Sequence, residues 1–139
     1  MTKTILLVED NPTDEKLTLR AFKKSGIANE IIVVRDGVEA LDHVLDPNRE
    51  LPAIMLLDLN LPKLDGHEVL RRIRADERVR PLPVVVLTAS KEEEDIVRSY
   101  ALGANAYVRK PVELVEFIQA AKTLGMFWLL LAELPPTRR

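Results

Sequence analysis

Five side chains, widely separated in a chain of 139 residues, could do chemistry together: Glu9, Asp10, Asp58, Thr88 and Lys110. Each lies at or just beyond the end of a short apolar run. ILLV (5–8) leads into Glu9-Asp10, AIMLL (53–57) into Asp58, VVVL (84–87) into Thr88, and AYV (106–108) into Arg109-Lys110. Three carboxylates in one place would repel one another and raise their pKa values. A divalent cation removes that conflict, and oxygen donors without thiolate or imidazole point to Mg²⁺ or Mn²⁺. Mg²⁺ keeps several waters and commonly works beside a phosphate. The Lys110 ammonium is a point charge suited to phosphate oxygens, and the Thr88 hydroxyl is a donor. Together these are the parts of phosphoryl transfer with an acidic side chain as acceptor.

These residues can meet only if the fold places the ends of their strands on one rim. The five strand candidates are Ile5 to Val8, residues 30–34, residues 53–57, residues 84–87 and Ala106 to Val108. Helical patterns alternate with them. The first has Asp14 as a candidate cap, Leu17 and Ala21 stacked one turn apart, and a stop near Ser25-Gly26. A short second helix surrounds Val38, Leu41 and Leu45, and a loop spans Pro47 to Pro52. The third helix carries Val69, Leu70 and Ile73. The fourth has an acidic first turn (Glu92, Glu93, Glu94), suited to the positive end of a helix, and is stopped by Gly103. The fifth runs from near Val112 to about Leu134, where Pro135-Pro136 ends it. Three strands are continuous apolar runs, the mark of a parallel sheet covered on both faces. Right-handed crossovers then predict a doubly wound α/β sandwich with ligands at the carboxyl ends of the strands.

Composition narrows the chemistry. There is no cysteine, so disulfides, thiolate nucleophiles and cysteine-bearing zinc sites are out. Two histidines, His43 and His67, cannot make a histidine-rich metal site. A net charge of −2 gives no general attraction to nucleic acid or to an anionic membrane. The longest uncharged apolar run, Met126 to Ala132, is far short of the ~20 residues of a membrane span. A single-domain cytoplasmic protein is the expectation.

The stretches ILLVEDN (5–11), MLLDLNLPKLDG (55–66), VVVLTAS (84–90) and GANAYVRKP (103–111) resemble the receiver domain of bacterial two-component response regulators. The resemblance covers residues 4 to about 122. It implies the flavodoxin-like, CheY-like fold: a five-stranded parallel sheet in the order 2-1-3-4-5 with five helices, the last extended. It also implies that Asp58 takes a phosphoryl group from a histidine kinase. Glu9 and Asp10 would then hold Mg²⁺, with the backbone carbonyl of Asn60 as a further ligand; Glu9 stands where many members have aspartate and keeps the charge. Thr88 would bond a phosphoryl oxygen and move on phosphorylation, Lys110 would pair with the phosphoryl group, and the Lys110-Pro111 bond would be cis. Tyr107 would be the switch aromatic, turning inward when Thr88 moves. The tail LGMFWLLLAELPP (124–136) and the loop DPNREL (46–51) are similar to those of a narrower group, the single-domain regulators paired with bacterial and cyanobacterial phytochromes.

On this reading residues 1–139 form one receiver domain without an output domain. Residues 123–134 are an apolar extension of the last helix and 135–139 a short tail. Leu124, Phe127, Trp128 and Leu131 share one helix face, but Met126, Leu129 and Leu130 make the end apolar nearly all round. An exposed apolar surface of that size predicts a partner, most simply a second copy in a C₂ dimer; the alternative is a tail folded back over the domain.

The domain would assist its own phosphorylation and dephosphorylation without turning over a free substrate. Its output would be a protein contact or relay to another phosphotransfer protein. A Mg²⁺-dependent phosphatase with Asp58 as nucleophile lacks an inserted cap to bind substrate. A dinucleotide or P-loop fold lacks its glycines, since EDNPTDE (9–15) follows the first strand. A constitutive adaptor would not need the acid, hydroxyl and lysine set. Of the remaining residues, Asn11 reads as structural, Asp65-Gly66 as turn chemistry and Glu68 as a solvated helix face. His67 is expected on the surface rather than as a relay histidine, and His43 half-buried. Arg71, Arg72 and Arg74, diluted by Glu68, Asp76 and Glu77, read as a solvated face.

Overall fold

A computed structural model describes residues 4–24, 29–88 and 93–109. Strand and helix alternate: β1 (Ile5–Val8), α1 (Pro12–Lys24), β2 (Ile31–Val34), α2 (Gly37–Leu45), β3 (Ile54–Asp58), α3 (Gly66–Ala75), β4 (Val84–Thr88), α4 (Glu93–Ala101) and β5 (Ala106–Arg109). All strand pairs are parallel, in the order β2-β1-β3-β4-β5. This is the CheY-like sheet expected above. The fifth helix, with Leu124, Phe127, Trp128 and Leu131, lies outside the described residues, as do Ser25-Gly26, Glu92, Lys110 and Pro111.

The apolar runs feed two cores because successive strand side chains point to opposite faces. Leu6, Val8, Met55, Leu57, Val84 and Val86 pack with α2 and α3 through Ala40, Leu41, Val44, Val69, Leu70 and Ile73. Ile5, Leu7, Ile54, Leu56, Val85 and Leu87 form the other layer with Phe22 of α1. Both faces of the central strands are therefore dry, which is why those strands do not alternate.

Helix α1 departs from expectation. Its cap is Asn11, not Asp14: Asn11 Oδ1 accepts from the backbone N–H groups of Thr13 (2.9 Å) and Asp14 (3.0 Å), and Pro12 takes the first helical position, where a missing N–H costs nothing. The buried stripe is Thr18 and Phe22, while Leu17 is 41% exposed. The large ring takes the core position, and the stripe falls one residue later than Leu17 and Ala21. In α2 the expected Leu41 is buried with Ala40 and Val44, but Val38 and Leu45 face outward. Asp36 caps α2 by accepting from Glu39 N–H (2.8 Å) and Asp65 caps α3 by accepting from Glu68 N–H (3.0 Å). Glu68 stays at the surface as expected, held by both guanidinium groups of Arg71 and Arg72.

Two surface expectations are overturned. Arg74 is not part of a solvated face. Its guanidinium donates to the carbonyls of Gly103 (2.7 and 2.9 Å), Arg80 (2.8 Å) and Leu82 (2.7 Å) and to Asn105 Oδ1 (2.8 Å). Burial lowers its pKa, and the carbonyl acceptors replace the water it gives up. His67 is also inside: 7% exposed, with Nε2 3.3 Å from Ser99 Oγ. It lies three residues before Leu70 and six before Ile73, on the face that α3 buries. His43 is half-buried beside Arg49 (3.2 Å), and burial lowers its pKa.

Helix α4 ends as Gly103 predicts. Gly103 has φ +103°, its N–H donates to Tyr100 O (3.0 Å), and Ala104 N–H donates to Ser99 O (2.9 Å). That pair of bonds is the Schellman arrangement, and glycine meets its left-handed conformation without strain.

Candidate functional site

The sheet brings Glu9, Asp10 and Asp58 to one rim. Glu9 extends the β1 ladder, its N–H donating to Val34 O (3.0 Å). Its side chain is fully buried, and one carboxylate oxygen accepts from Asn11 N–H (3.2 Å). Asn11 thus works in both directions, capping α1 with its side chain and orienting Glu9 with its backbone. Asp58 closes β3 and is 4% exposed, whereas Asp10 is open to solvent. Asp58 Oδ1 accepts from Asn60 N–H (3.1 Å), a short-range bond that directs the carboxylate into the rim.

Ligand oxygens of the three acids lie within 4.8 Å of one another. Opposite ligands on one Mg²⁺ are separated by about 4.2 Å, twice the metal–oxygen distance. The cluster is therefore close to coordination scale, and an all-oxygen set of this charge fits a hard divalent cation. Among the described residues no other His, Asp and Glu grouping of three is so compact.

The loop after β3 is held from several sides. Gly66 N–H donates to Leu59 O (2.9 Å), and a Cβ at Gly66 would stand 2.5 Å from the Asp58 carbonyl oxygen. Only glycine lets α3 begin this close to the acid. A Cβ at Gly37 would meet Leu64 O at 2.1 Å, so the start of α2 presses on the same loop. Lys63 adopts φ 67°, uncommon for a residue with a Cβ, and its ammonium reaches Asp36 Oδ2 (3.4 Å). The Asp36 carboxyl is held below its ordinary pKa, first by the Glu39 amide that it caps and then by Lys63.

Asp58 is in register with Leu87, and Thr88 with Arg109, so the Thr88 backbone stands at the same edge. Its side chain, like Lys110, lies outside the described residues. Tyr107 pairs with Val86 and packs half-buried against the core shared with α3. The roles of Asn11 and Lys63 around the rim, and the close approach of Gly66 to Asp58, were not read as such from sequence. The dipeptide Asn11-Pro12 is a helix-start signal that could have shown the first. No local pattern marks the others.

Fold and site together define a doubly wound protein with a carboxylate pocket for a divalent cation at its strand ends. The pattern of the family described as response regulator receiver domain matches residues 5–122. The chain belongs to that family. It is similar to the probable methanogenesis regulatory protein FilR2 of Methanothrix harundinacea (43% identical, covering 90% of this chain and 83% of FilR2). It is similar to response regulator Rcp1 of Synechocystis (40% identical, 96% and 93%), and a structure of Mn²⁺-bound Rcp1 superposes with a TM-score of 0.75 (40% identity, 95% and 98%). The structure of the bacteriophytochrome response regulator AtBRR superposes with a TM-score of 0.84 (51% identity, 96% and 99%). The protein is accordingly a phosphoacceptor of two-component signalling, closely related to phytochrome-associated regulators. It is a switch rather than an enzyme turning over a free substrate. Among the described residues no helix is long and apolar enough to cross a membrane.

Proposed function

We propose that Asp58 accepts a phosphoryl group from a sensor histidine kinase of the bacterial phytochrome class and that this changes a protein-binding surface. The observation that carries the reading is the Glu9–Asp10–Asp58 cluster at the strand ends. A carboxylate oxygen of Asp58 attacks phosphorus, the P–N bond to the donor imidazole breaks, and the leaving nitrogen keeps the bonding pair. The product is an acyl phosphate, which water later cleaves at phosphorus to return the carboxylate and inorganic phosphate. Buried against the end of β3 and fixed by Asn60 N–H, Asp58 presents its oxygen in one direction.

Glu9, Asp10 and Asp58, with the Asn60 carbonyl, would hold Mg²⁺, which when bound neutralises charge on the transferred oxygens. The Mn²⁺-bound form of Rcp1 supports a divalent ion there. Lys110 would pair with the phosphoryl group and Thr88 would donate to one of its oxygens. Tyr107, already half-buried against the α3 core, would repack as Thr88 moves. AtBRR, a bacteriophytochrome response regulator, supports the choice of kinase. Residues 1–139 would act as one receiver domain. The apolar stretch Leu124, Phe127, Trp128 and Leu131 would pair two copies through an extended last helix, the reading favoured by its all-round apolar pattern.

The test is intact mass after acetyl phosphate with and without Mg²⁺, on wild type and Asp58→Asn. A Mg²⁺-dependent gain of about 80 Da, the mass of one phosphoryl group, is expected in wild type alone. An equal gain in Asp58→Asn would move the acceptor elsewhere. Light scattering on the same samples reads the dimer, and a monomer at all concentrations would remove the helix-pairing proposal.

A further inference from the structure

Helix α3 starts in contact with the acid. Gly66 abuts the Asp58 carbonyl so closely that a Cβ would sit 2.5 Å away, and Gly66 N–H is bonded to Leu59 O (2.9 Å). The first turn of α3 therefore cannot shift independently of the end of β3. The next residue is His67, buried, with Nε2 3.3 Å from Ser99 Oγ on α4. Ser99 is the one buried residue among the described side chains of α4; Ile96 is half-buried, and Arg98, Tyr100 and Ala101 are exposed.

Helix α4 is thus tied to α3 at polar points. Arg74 pins the turn at Gly103, and His67 holds Ser99 one turn earlier. With Gly103 fixed, the Ser99 bond is a second polar contact that bears on the roll and tilt of the last turns of α4. Hydroxyl and imidazole can each donate or accept, so the bond can be broken and remade in either direction.

We infer that His67 is a positioning residue that couples the state of Asp58 to the position of α4 through Ser99. The inference rests on the reading of Asp58 as acceptor. A single hydrogen bond suits this task. It is strong enough to bias a two-state position several-fold, and weak enough to be exchanged during a switch. An apolar contact of equal area has no single point at which to let go.

The experiment compares wild type, Ser99→Ala, His67→Leu and His67→Gln, with acetyl phosphate and Mg²⁺ as the phosphoryl source. Intact mass reads phosphorylation and its decay; amide NMR shifts across Glu93–Ala101 read α4. Ser99→Ala removes one oxygen from a helix and should fold. Without phosphate its α4 shifts are expected to lie part-way toward those of phosphorylated wild type. Its phosphorylation rate should change by about threefold to tenfold, the scale of one hydrogen bond. His67→Leu should behave likewise, and His67→Gln, whose amide still reaches Ser99, should stay near wild type. If Ser99→Ala and His67→Leu gain and lose phosphate at wild-type rates with α4 shifts unchanged, the contact is packing only and the coupling fails. A wild type that takes up no phosphate would overturn the acceptor reading, and the coupling with it.

Discussion

Helix α3 buries His67, Val69, Leu70 and Ile73, whereas Ser99 is the one buried residue among the described side chains of α4. Each fully buried aliphatic side chain contributes about 1.5–3 kcal/mol. α3 is therefore held by apolar burial spread along its length, whereas the contacts seen at the described side chains of α4 and its C-terminal turn include discrete hydrogen bonds to His67 and Arg74. Burial of the first kind is lost gradually as a helix moves; a hydrogen bond is lost within a fraction of an ångström. The helix that begins on Asp58 is thus built to stay in place, and the last turns of the helix that follows Thr88 are joined to it at bonds that can be exchanged.

Substitutions should show this contrast, starting with the largest effect. Ile73→Ala removes a fully buried side chain and should cost about 2–5 kcal/mol in urea unfolding. Tyr100→Ala on α4, where the ring is 49% exposed, should stay within about 0.5 kcal/mol. Equal losses would mean that α4 is anchored as α3 is.

Arg74→Met keeps the stem but strips donors from the carbonyls of Gly103, Arg80 and Leu82, at an expected cost of about 2–4 kcal/mol. Hydrogen exchange should accelerate in the last turn of α4 before it does in α3. Arg74→Lys should recover little, because one ammonium cannot span these acceptors.

Gly103→Ala forces a Cβ into a left-handed φ and within 2.8 Å of Arg74 Nε. A loss of about 1–3 kcal/mol is expected, again with faster exchange at the end of α4. No measurable loss would show that the Arg74 clamp is slack.

The smallest effect concerns Glu68, whose pKa is lowered from 4.5 to about 2, first by hydrogen bonding to Arg71 and then to Arg72. A carboxylate with a depressed folded pKa stabilises fully above its unfolded value, and that stabilisation is lost as pH falls. The contribution should be intact above pH 4.5 and gone near pH 2. Because the pair is exposed, salt should weaken it. Glu68→Gln should flatten this segment of an acid titration followed by circular dichroism, and an unchanged curve would assign no stability to the pair.

The strand runs and the stop of α4 at Gly103 were legible because each depends on nearby residues. Continuous apolar stretches at 5–8 and 84–87 can be satisfied only in a sheet covered twice, and Gly103 acts within one turn of its own position. Errors arose where a local rule allowed several registers. Asn11 rather than Asp14 caps α1, and Phe22 rather than Leu17 wins the core, because packing against Leu7 and Leu56 decides which face turns inward.

The chemistry of the site followed from residue type: three acids at strand ends make an all-oxygen cluster that fits a hard divalent cation. Their exposures did not. Glu9 is sealed and Asp10 open, although they are adjacent and their carboxylates converge on Asp58, because Glu9 still extends the covered sheet and Asp10 lies beyond it. The fates of His67 and Arg74 were set at a distance. Their partners, Ser99 and Gly103, lie 32 and 29 residues further along. A polar side chain on a helix reads as solvated until the packing of another element removes its water and offers a hydrogen bond instead. Order, period and charge along the chain specify the strands, the helices and the acid set, because those interactions are short-ranged or tied to a strand's end. Which polar groups become joints between helices depends on contacts that exist only once the sheet has closed.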